Sequence, residues 1–267
     1  MPPAAELTRD QAIDALRWWV EAGVDWVVEE APQDRFAEIA APAALVAAPR
    51  APATAPAARS PPTAFAEDPE ALARAALEAA NSASSLPALR EVMLAFEGCG
   101  LKGSATQLVF GQGAAGARIL LAGDVPGADD DRSGQPFSGT QGQLLDAMLG
   151  AIGLAREQVF LTQVSPWRPP GARELTAQEA MIGLAFLRRQ IALVEPEFIL
   201  CLGSVATQGL LGLKESFLRA RGRWFDYPGT PIKAMPTLHP RDLLRRPAEK
   251  RWAWQDLRRL AGALSGA

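Results

Sequence analysis

Four side chains in the sequence are suited to chemistry on a flat heterocycle. Asp124, Gln163 and His239 each stand at or just after the end of a short apolar run, and Phe137 lies in a polar, glycine-rich loop. An aromatic ring in such a loop is typical of a stacking platform. A primary amide donates and accepts hydrogen bonds, a carboxylate accepts them, and an imidazole exchanges a proton near neutral pH.

Each of these residues also has a purely structural interpretation. An acidic turn accounts for Asp124, with Gly123 and Gly127 supplying turn geometry instead of close approach to a ligand. Backbone groups nearby account for Gln163, and a lone histidine such as His239 is more often structural than catalytic. The residues alone leave both interpretations open.

The distribution of charge favours a functional interpretation of the histidine. Residues 214–259, which include His239, carry a net charge of +7, whereas the whole chain of 267 residues carries −3. A basic surface of this kind is what contact with a phosphate backbone needs. For Arg245 and Arg246 a solvated helix face is the alternative.

The elements that must position these residues alternate between short apolar runs and helical periods. Runs occur at 117–122, 158–164, 197–202 and 231–236, and helical periods occur at 141–152, 176–194, 204–211 and 249–264. This alternation predicts an α/β domain of three layers, α/β/α, with a central, mostly parallel four-stranded sheet. Ligands of such sheets bind at the carboxyl ends of the strands, where the four side chains are found.

The chain before this domain has a different character. Apolar residues at helical spacing predict an amphipathic helix over 7–30, within an N-terminal segment of residues 1–40. Its tryptophans dock either on the protein's own domain or on a protein partner. Residues 41–66 form a predicted linker, since 41–65 hold 11 Ala and 6 Pro. The domain is then predicted over 67–267, beginning with helices at 69–81 and 86–98.

Composition excludes several classes of protein. With 27 Lys+Arg against 30 Asp+Glu, the chain is not a uniformly basic nucleic-acid coat. Its two cysteines are too few for a disulfide scaffold and too far apart for a Cys-x-x-Cys metal site. No apolar run approaches the length of a membrane span, and the start lacks a signal-peptide pattern. We therefore expect a cytoplasmic protein that has no membrane partner.

Six motifs in order resemble the family 4 uracil-DNA glycosylases, of the uracil-DNA glycosylase superfamily. They are VFGQG at 109–113, GDVPG at 123–127, GQPFSGTQGQLLD at 134–146, RPPG at 168–171, LGSVA at 202–206 and TLHP at 237–240. The resemblance covers roughly residues 96–260, and six motifs in order are far more specific than any one of them.

The resemblance implies hydrolysis of the N-glycosidic bond of uracil, or of another deaminated base, in DNA after the nucleotide is flipped into a pocket. Phe137 would stack on the base, and Gln163 would read its edge. Asp124 would hold the attacking water or stabilise the developing sugar cation. His239 would donate a hydrogen bond to the uracil oxygen that gains charge.

Further residues take binding roles on the same basis. Gly123 and Gly127 would let the backbone approach the base. The positive residues Arg168, Arg241, Arg245 and Arg246 would hold the DNA backbone.

The sequence departs from the family at the positions that would hold an iron–sulfur cluster. The family's four cysteines correspond here to Phe96, Cys99, Trp167 and Gly183, so only Cys99 is retained. One thiolate does not hold a four-iron cluster. We therefore predict a member without cofactor or metal, in which Phe96 and Trp167 fill the vacated volume.

Two further departures keep alternatives open. Asp124 stands where the family usually has Glu, and Gln163 stands where it usually has Asn. The change at Gln163 is compatible with hypoxanthine or xanthine as substrate. The alternative function is a catalytically weak or inactive glycosylase-like protein that binds DNA or a partner.

Overall fold

The computed structural model describes residues 69–266. The predicted N-terminal segment (1–40), with its helix over 7–30, and the predicted linker (41–66) lie outside the described residues. Those two assignments and the domain boundary at residue 67 therefore stay predictions.

A mixed sheet forms the centre of the domain. Its strands are β1 (Ile119–Gly123), β2 (Val159–Gln163), β3 (Phe198–Leu202), β4 (Phe225–Asp226) and β5 (Lys233–Thr237). They lie in the order β2-β1-β3-β5-β4. Strands β1, β2, β3 and β5 pair in parallel, which confirms the predicted parallel centre. Strand β4 adds two residues antiparallel to β5, so the sheet has one strand more than predicted.

Helices separate and cover the strands. The described residues contain α1 (Pro69–Ser82), α2 (Leu86–Ala95), α3 (Ala128–Ser133), α4 (Gly139–Gly150), α5 (Ala177–Val194), α6 (Ser204–Leu211), α7 (Phe217–Ala220), α8 (Pro240–Arg245) and α9 (Lys250–Ser265). Helix α2 ends three residues earlier than predicted, because the backbone at Phe96 is extended. Helix α3 covers the aspartate-rich residues 128–133, where no helix was predicted from the sequence.

Side chains of the parallel strands alternate between two cores. Leu120 and Ala122 face a core that includes Leu187 and Ile191 of α5. Leu121 faces the opposite core, which includes residues of α4 and α9. This alternation is the consequence of the two-residue period of a strand and confirms the three-layer architecture.

Helices α1 and α2 extend one outer layer. They pack with α5 in a third apolar cluster that contains Met93 of α2 and Phe186 of α5. Within residues 69–266, no helix combines the length and the hydropathy that crossing a bilayer requires.

Candidate active site

The register of the sheet brings the predicted site residues to one edge. Gly123, the last residue of β1, pairs with Gln163 on β2 and with Leu202 on β3. Leu202 in turn pairs with Thr237 at the end of β5. Asp124, Gln163 and His239 therefore lie at neighbouring carboxyl ends, where an α/β sheet binds ligands.

Phe137 reaches this edge from the loop between α3 and α4. Its ring is 1% exposed and lies tilted toward the imidazole of His239, with 5.6 Å between ring centroids. A Cβ at Gly123 would lie 2.6 Å from the Phe137 ring and 3.3 Å from Nε2 of His239. Gly123 thus makes room for both rings.

The backbone at Phe137 is strained and clamped. Its φ of 53° lies in the left-handed region that bulky residues rarely adopt. The Arg156 guanidinium donates to the carbonyl oxygens of Pro136 at 2.7 Å and Phe137 at 3.2 Å. Gly142 lies so close that its Cβ would be 1.9 Å from the Phe137 oxygen. A conformation that costs energy and is held from two sides is typical of a functional loop.

His239 is fully buried and neutral. Burial, with the nearby Arg241 cation, lowers the pKa of His239 to about 3. The backbone N–H of Arg241 donates to Nδ1 at 3.1 Å, so the proton of the neutral ring is on Nε2. Nε2 has no hydrogen-bond partner, and it is the atom beside Gly123 and Phe137. The site therefore holds a donor with no acceptor.

Gln163 provides an unpaired hydrogen-bond acceptor, which complements the unpaired donor of His239. Its side chain is 4% exposed, and its Nε2 donates to Asp130 at 2.9 Å. Its Oε1 is buried and has no partner. An unpaired buried polar atom costs about 1–3 kcal/mol, so such atoms in a cluster indicate a ligand site.

Asp124 is held against the start of α6. Its Oδ1 accepts the N–H of Ala206 at 2.8 Å. A Cβ at Gly203, whose φ is 105°, would lie 2.3 Å from Oδ2, so only glycine fits there. Burial raises the pKa of Asp124 to about 6, against the lowering effect of the α6 amides and Arg241. The group is mostly a carboxylate at neutral pH.

Gly127 and the predicted DNA-binding residues lie around this centre. The backbone N–H of Gly127 donates to the Asp130 carboxylate, so this N–H is already paired and is not free to bind a base. Arg168 is partly exposed after β2. Arg241, also partly exposed, is the second residue of α8 and lies two residues after His239, whereas Arg245 at the end of α8 and Arg246 just after it are exposed. The structure thus brings Asp124, Phe137, Gln163 and His239 together, with α8 beside them.

Comparisons with known proteins agree with this arrangement. Residues 110–258 match the model of the uracil DNA glycosylase superfamily, which is more than half of the chain. The chain belongs to the uracil-DNA glycosylase superfamily.

Relatives within this superfamily support family 4 in particular. The type-4 uracil-DNA glycosylase of Archaeoglobus fulgidus is 34% identical over 184 residues, covering 67% of this chain and 92% of that protein. That of Thermotoga maritima is 37% identical over 148 residues, covering 55% and 77%. That of Saccharolobus solfataricus is 35% identical over 162 residues, covering 58% and 75%. The predicted resemblance is confirmed.

The residues at the family's cluster positions do not fit an iron–sulfur cluster. The rings of Phe96 and Trp167 both pack edge-on against Phe186, with centroids 5.3 and 6.4 Å away. Any side chain on Gly183 would meet the backbone, because its Cβ would lie 2.3 Å from the Val164 oxygen. Burial raises the pKa of the Cys99 thiol, which disfavours the thiolate that binds metal.

Metal ligands are not grouped elsewhere in the described part of the chain. No set of three or more His, Cys, Asp or Glu side chains is placed to hold a metal ion within residues 69–266. That the protein has no cofactor stays a prediction, now with a structural reason at three of the four cluster positions.

Two residues with a clear place in the site were missed by sequence reasoning. Asp130 is the middle of three consecutive aspartates, and neither periodicity nor residue type distinguishes it from its neighbours. Arg156 lies 19 residues from the Phe137 carbonyl that it holds. The only available signal for Asp130 is its position as the third residue of α3 after Gly127, where an acidic side chain caps the helix.

Proposed function

We propose that this protein is a DNA repair glycosylase that hydrolyses the N-glycosidic bond of uracil in DNA. The observation that carries the proposal is the pair of unpartnered buried atoms, Nε2 of His239 and Oε1 of Gln163, at one sheet edge beside Phe137. Uracil presents an N–H between two carbonyl oxygens, so one base satisfies both a donor and an acceptor.

His239 stabilises the leaving group in this mechanism. As the glycosidic bond breaks, negative charge develops on the uracil oxygen beside the bond, and the neutral Nε2–H donates to it. A preorganised donor in a dry site contributes about 3 kcal/mol, roughly a hundredfold in rate. Because the Arg241 N–H keeps Nδ1 as an acceptor, the ring needs no reorientation during the reaction.

Asp124 acts on the sugar side. Its carboxylate, ionised above a pKa of about 6, orients the attacking water or stabilises positive charge on the sugar. The Ala206 N–H fixes Oδ1, which orients the carboxylate for this task. Phe137 stacks on the flipped base, which gives the base a defined plane relative to Gln163 and His239.

Basic residues in the C-terminal part of the domain bind the DNA backbone in this proposal. Arg241 and Arg245 lie on α8, which starts directly after His239, and Arg246 follows its last residue; all three are within the stretch of net charge +7. Contacts from this helix to phosphates would hold the strand next to the histidine. Arg168, after β2, adds to the same role. A cytoplasmic location and a protein partner for the N-terminal segment stay predictions.

A gel cleavage assay tests the proposal. Single- and double-stranded oligonucleotides that contain uracil, hypoxanthine or xanthine are incubated with the wild type, then treated with alkali to cut abasic sites. We expect cleavage at uracil, with loss of at least about a hundredfold in His239→Ala. Arg118→Ala is the matched control and should keep the wild-type rate. Arg118 is exposed and lies just before the first residue of β1, at the end of the strand opposite the site. Cleavage only at hypoxanthine or xanthine would show that one of these bases, and not uracil, is the substrate. DNA binding without any cleavage would support the non-catalytic alternative.

A further inference from the structure

A completely buried carboxylate outside the predicted site lies behind Gln163. Asp130 has no exposed surface, and it accepts hydrogen bonds from four groups. These are the N–H of Gly127 at 2.9 Å, the N–H of Ser138 at 2.6 Å, Nε2 of Gln141 at 2.9 and 3.0 Å, and Nε2 of Gln163 at 2.9 Å. All four partners are donors.

This arrangement determines which way the Gln163 amide faces. A carboxylate only accepts hydrogen bonds, so the nitrogen of the amide must face Asp130 and the oxygen must face away. The buried Oε1 without a partner is the result. The amide nitrogen uses one of its two hydrogens on Asp130, which leaves the second for another acceptor.

We infer that Asp130 is a positioning residue that fixes the hydrogen-bonding polarity of Gln163 and thereby selects bases with an N–H next to a carbonyl oxygen. The inference rests on the proposed function. Uracil, hypoxanthine and xanthine all present that edge, to which an amide oxygen and an amide N–H are complementary. Cytosine presents the reverse, an unprotonated ring nitrogen beside an amino group, and meets the amide oxygen with a lone pair.

The same contact compensates for the longer side chain at this position. Glutamine has one more rotatable bond than the asparagine usual in the family, and each added bond raises the entropy lost when the side chain is ordered. The hydrogen bond to Asp130 restrains the Gln163 amide before any base binds. Asp130 in turn is fixed by the other three donors, one of them a backbone N–H of the loop next to Phe137.

A double-mutant cycle on uracil release tests whether Asp130 acts through Gln163. The four proteins are the wild type, Asp130→Asn, Gln163→Ala and the double variant, each checked by thermal unfolding. We expect Asp130→Asn to lower kcat/KM by about tenfold or more in the wild type, but by less than about threefold once Gln163 is alanine. Equal losses in both backgrounds would mean a structural role only and would overturn the inference.

Asp131→Asn is the matched control for this cycle. Asp131 is the next residue of α3, is also buried, and accepts from Thr106 and Gln107 with no bond to Gln163. Its effect should be the same in both backgrounds. If Asp130→Asn does not fold, Asp130→Glu, which keeps an acceptor, replaces it in the cycle.

The outcome also separates this inference from the proposed function. A wild type that releases uracil but shows an additive cycle overturns the inference alone. A wild type that binds a uracil oligonucleotide without cleaving it overturns the proposed function, and the cycle is then measured on affinity for that oligonucleotide. A wild type that neither cleaves nor preferentially binds uracil in DNA overturns both.

Discussion

The backbone N–H of Arg241 donates to Nδ1 of His239 at 3.1 Å, and this contact decides which nitrogen of the chain's only histidine carries the proton. The contact is local, since it links residues two apart at the start of α8. Helix α8 therefore both orients the histidine and carries the arginines next to it.

The first prediction concerns pH and the stability contributed by His239. Burial lowers its pKa to about 3 in the folded state, from 6.5 in an exposed imidazole. Between these values the unfolded chain binds a proton that the folded chain does not, so stability is lost as pH falls through this window. His239→Gln should show a smaller drop in unfolding free energy between about pH 7.5 and about pH 5 than the wild type, measured by urea denaturation. An equal drop would contradict a neutral buried histidine.

Asp124 gives a second prediction, this time for the rate. Its pKa is raised to about 6, so the carboxylate form is lost as pH falls through that value. The single-turnover rate of uracil release should rise with pH through about 6 and then level off. Asp124→Asn should lower the rate by at least about a hundredfold and remove the inflection. His239 does not titrate in this range, so an inflection that survives in Asp124→Asn would show that another group controls the rate.

Removal of the Arg156 clamp is expected to affect base binding more than chemistry. Arg156→Ala leaves the carbonyl oxygens of Pro136 and Phe137 without their donor, so the strained loop relaxes and the stacking ring moves. We expect KM for a uracil oligonucleotide to rise about tenfold, with a smaller change in kcat. The matched control is again Arg118→Ala, whose ion pair with Glu197 lies by the opposite end of β1. A fall in kcat alone would contradict the clamp.

The fourth prediction concerns whether the position of Gly183 has room for a side chain such as a cluster-binding cysteine. Gly183→Ala places a Cβ against the Val164 carbonyl and should destabilise the protein by about 1–3 kcal/mol. Gly150→Ala is the control, because no atom lies within 4 Å of its Cβ position at the end of α4. That change should leave stability unchanged or raise it by up to about 1 kcal/mol. Thermal unfolding of both variants checks the pair, and equal effects would show that Gly183 has room for a side chain.

Cys99 provides the last prediction. Since its thiol is buried among apolar residues and belongs to no group of metal ligands within residues 69–266, Cys99→Ala should retain wild-type uracil release and unfolding temperature to within a few degrees. Iron analysis of the wild type should find less than one equivalent per chain. A visible absorption band that disappears in Cys99→Ala would contradict this.

The parts of the fold that follow from apolar periodicity were predictable, and the parts set by short-range geometry were not. Strands β1, β2 and β3 are buried along their whole length, and β5 is buried at four of its five residues, so each is mainly apolar in the sequence. Strand β4 has two residues, one of them the exposed Asp226, and leaves no such pattern. Helix α3 is six residues long and half aspartate, which is equally typical of a turn.

The candidate site divides in the same way. Asp124, Gln163 and His239 were predictable as neighbours because parallel strands bring their carboxyl ends together. The hydrogen bond between Asp130 and Gln163 joins the side chains of residues that are 33 apart in the chain, so no periodic pattern in the sequence predicts it. The burial of Phe137 depends on the absence of a side chain at Gly123, a contact between the end of β1 and the loop before α4 that becomes visible only in three dimensions.

The aromatic packing of Phe96 and Trp167 on Phe186 also bears on how the protein is made and kept in the cell. On the prediction that no cluster binds here, a domain joined at this point by carbon contacts would fold without delivery of iron and sulfide. On the same prediction, oxidants that strip iron from clusters would find none at this position, and iron starvation would not lower the amount of folded protein. Base removal by this chain, as proposed above, would then be independent of the supply of iron.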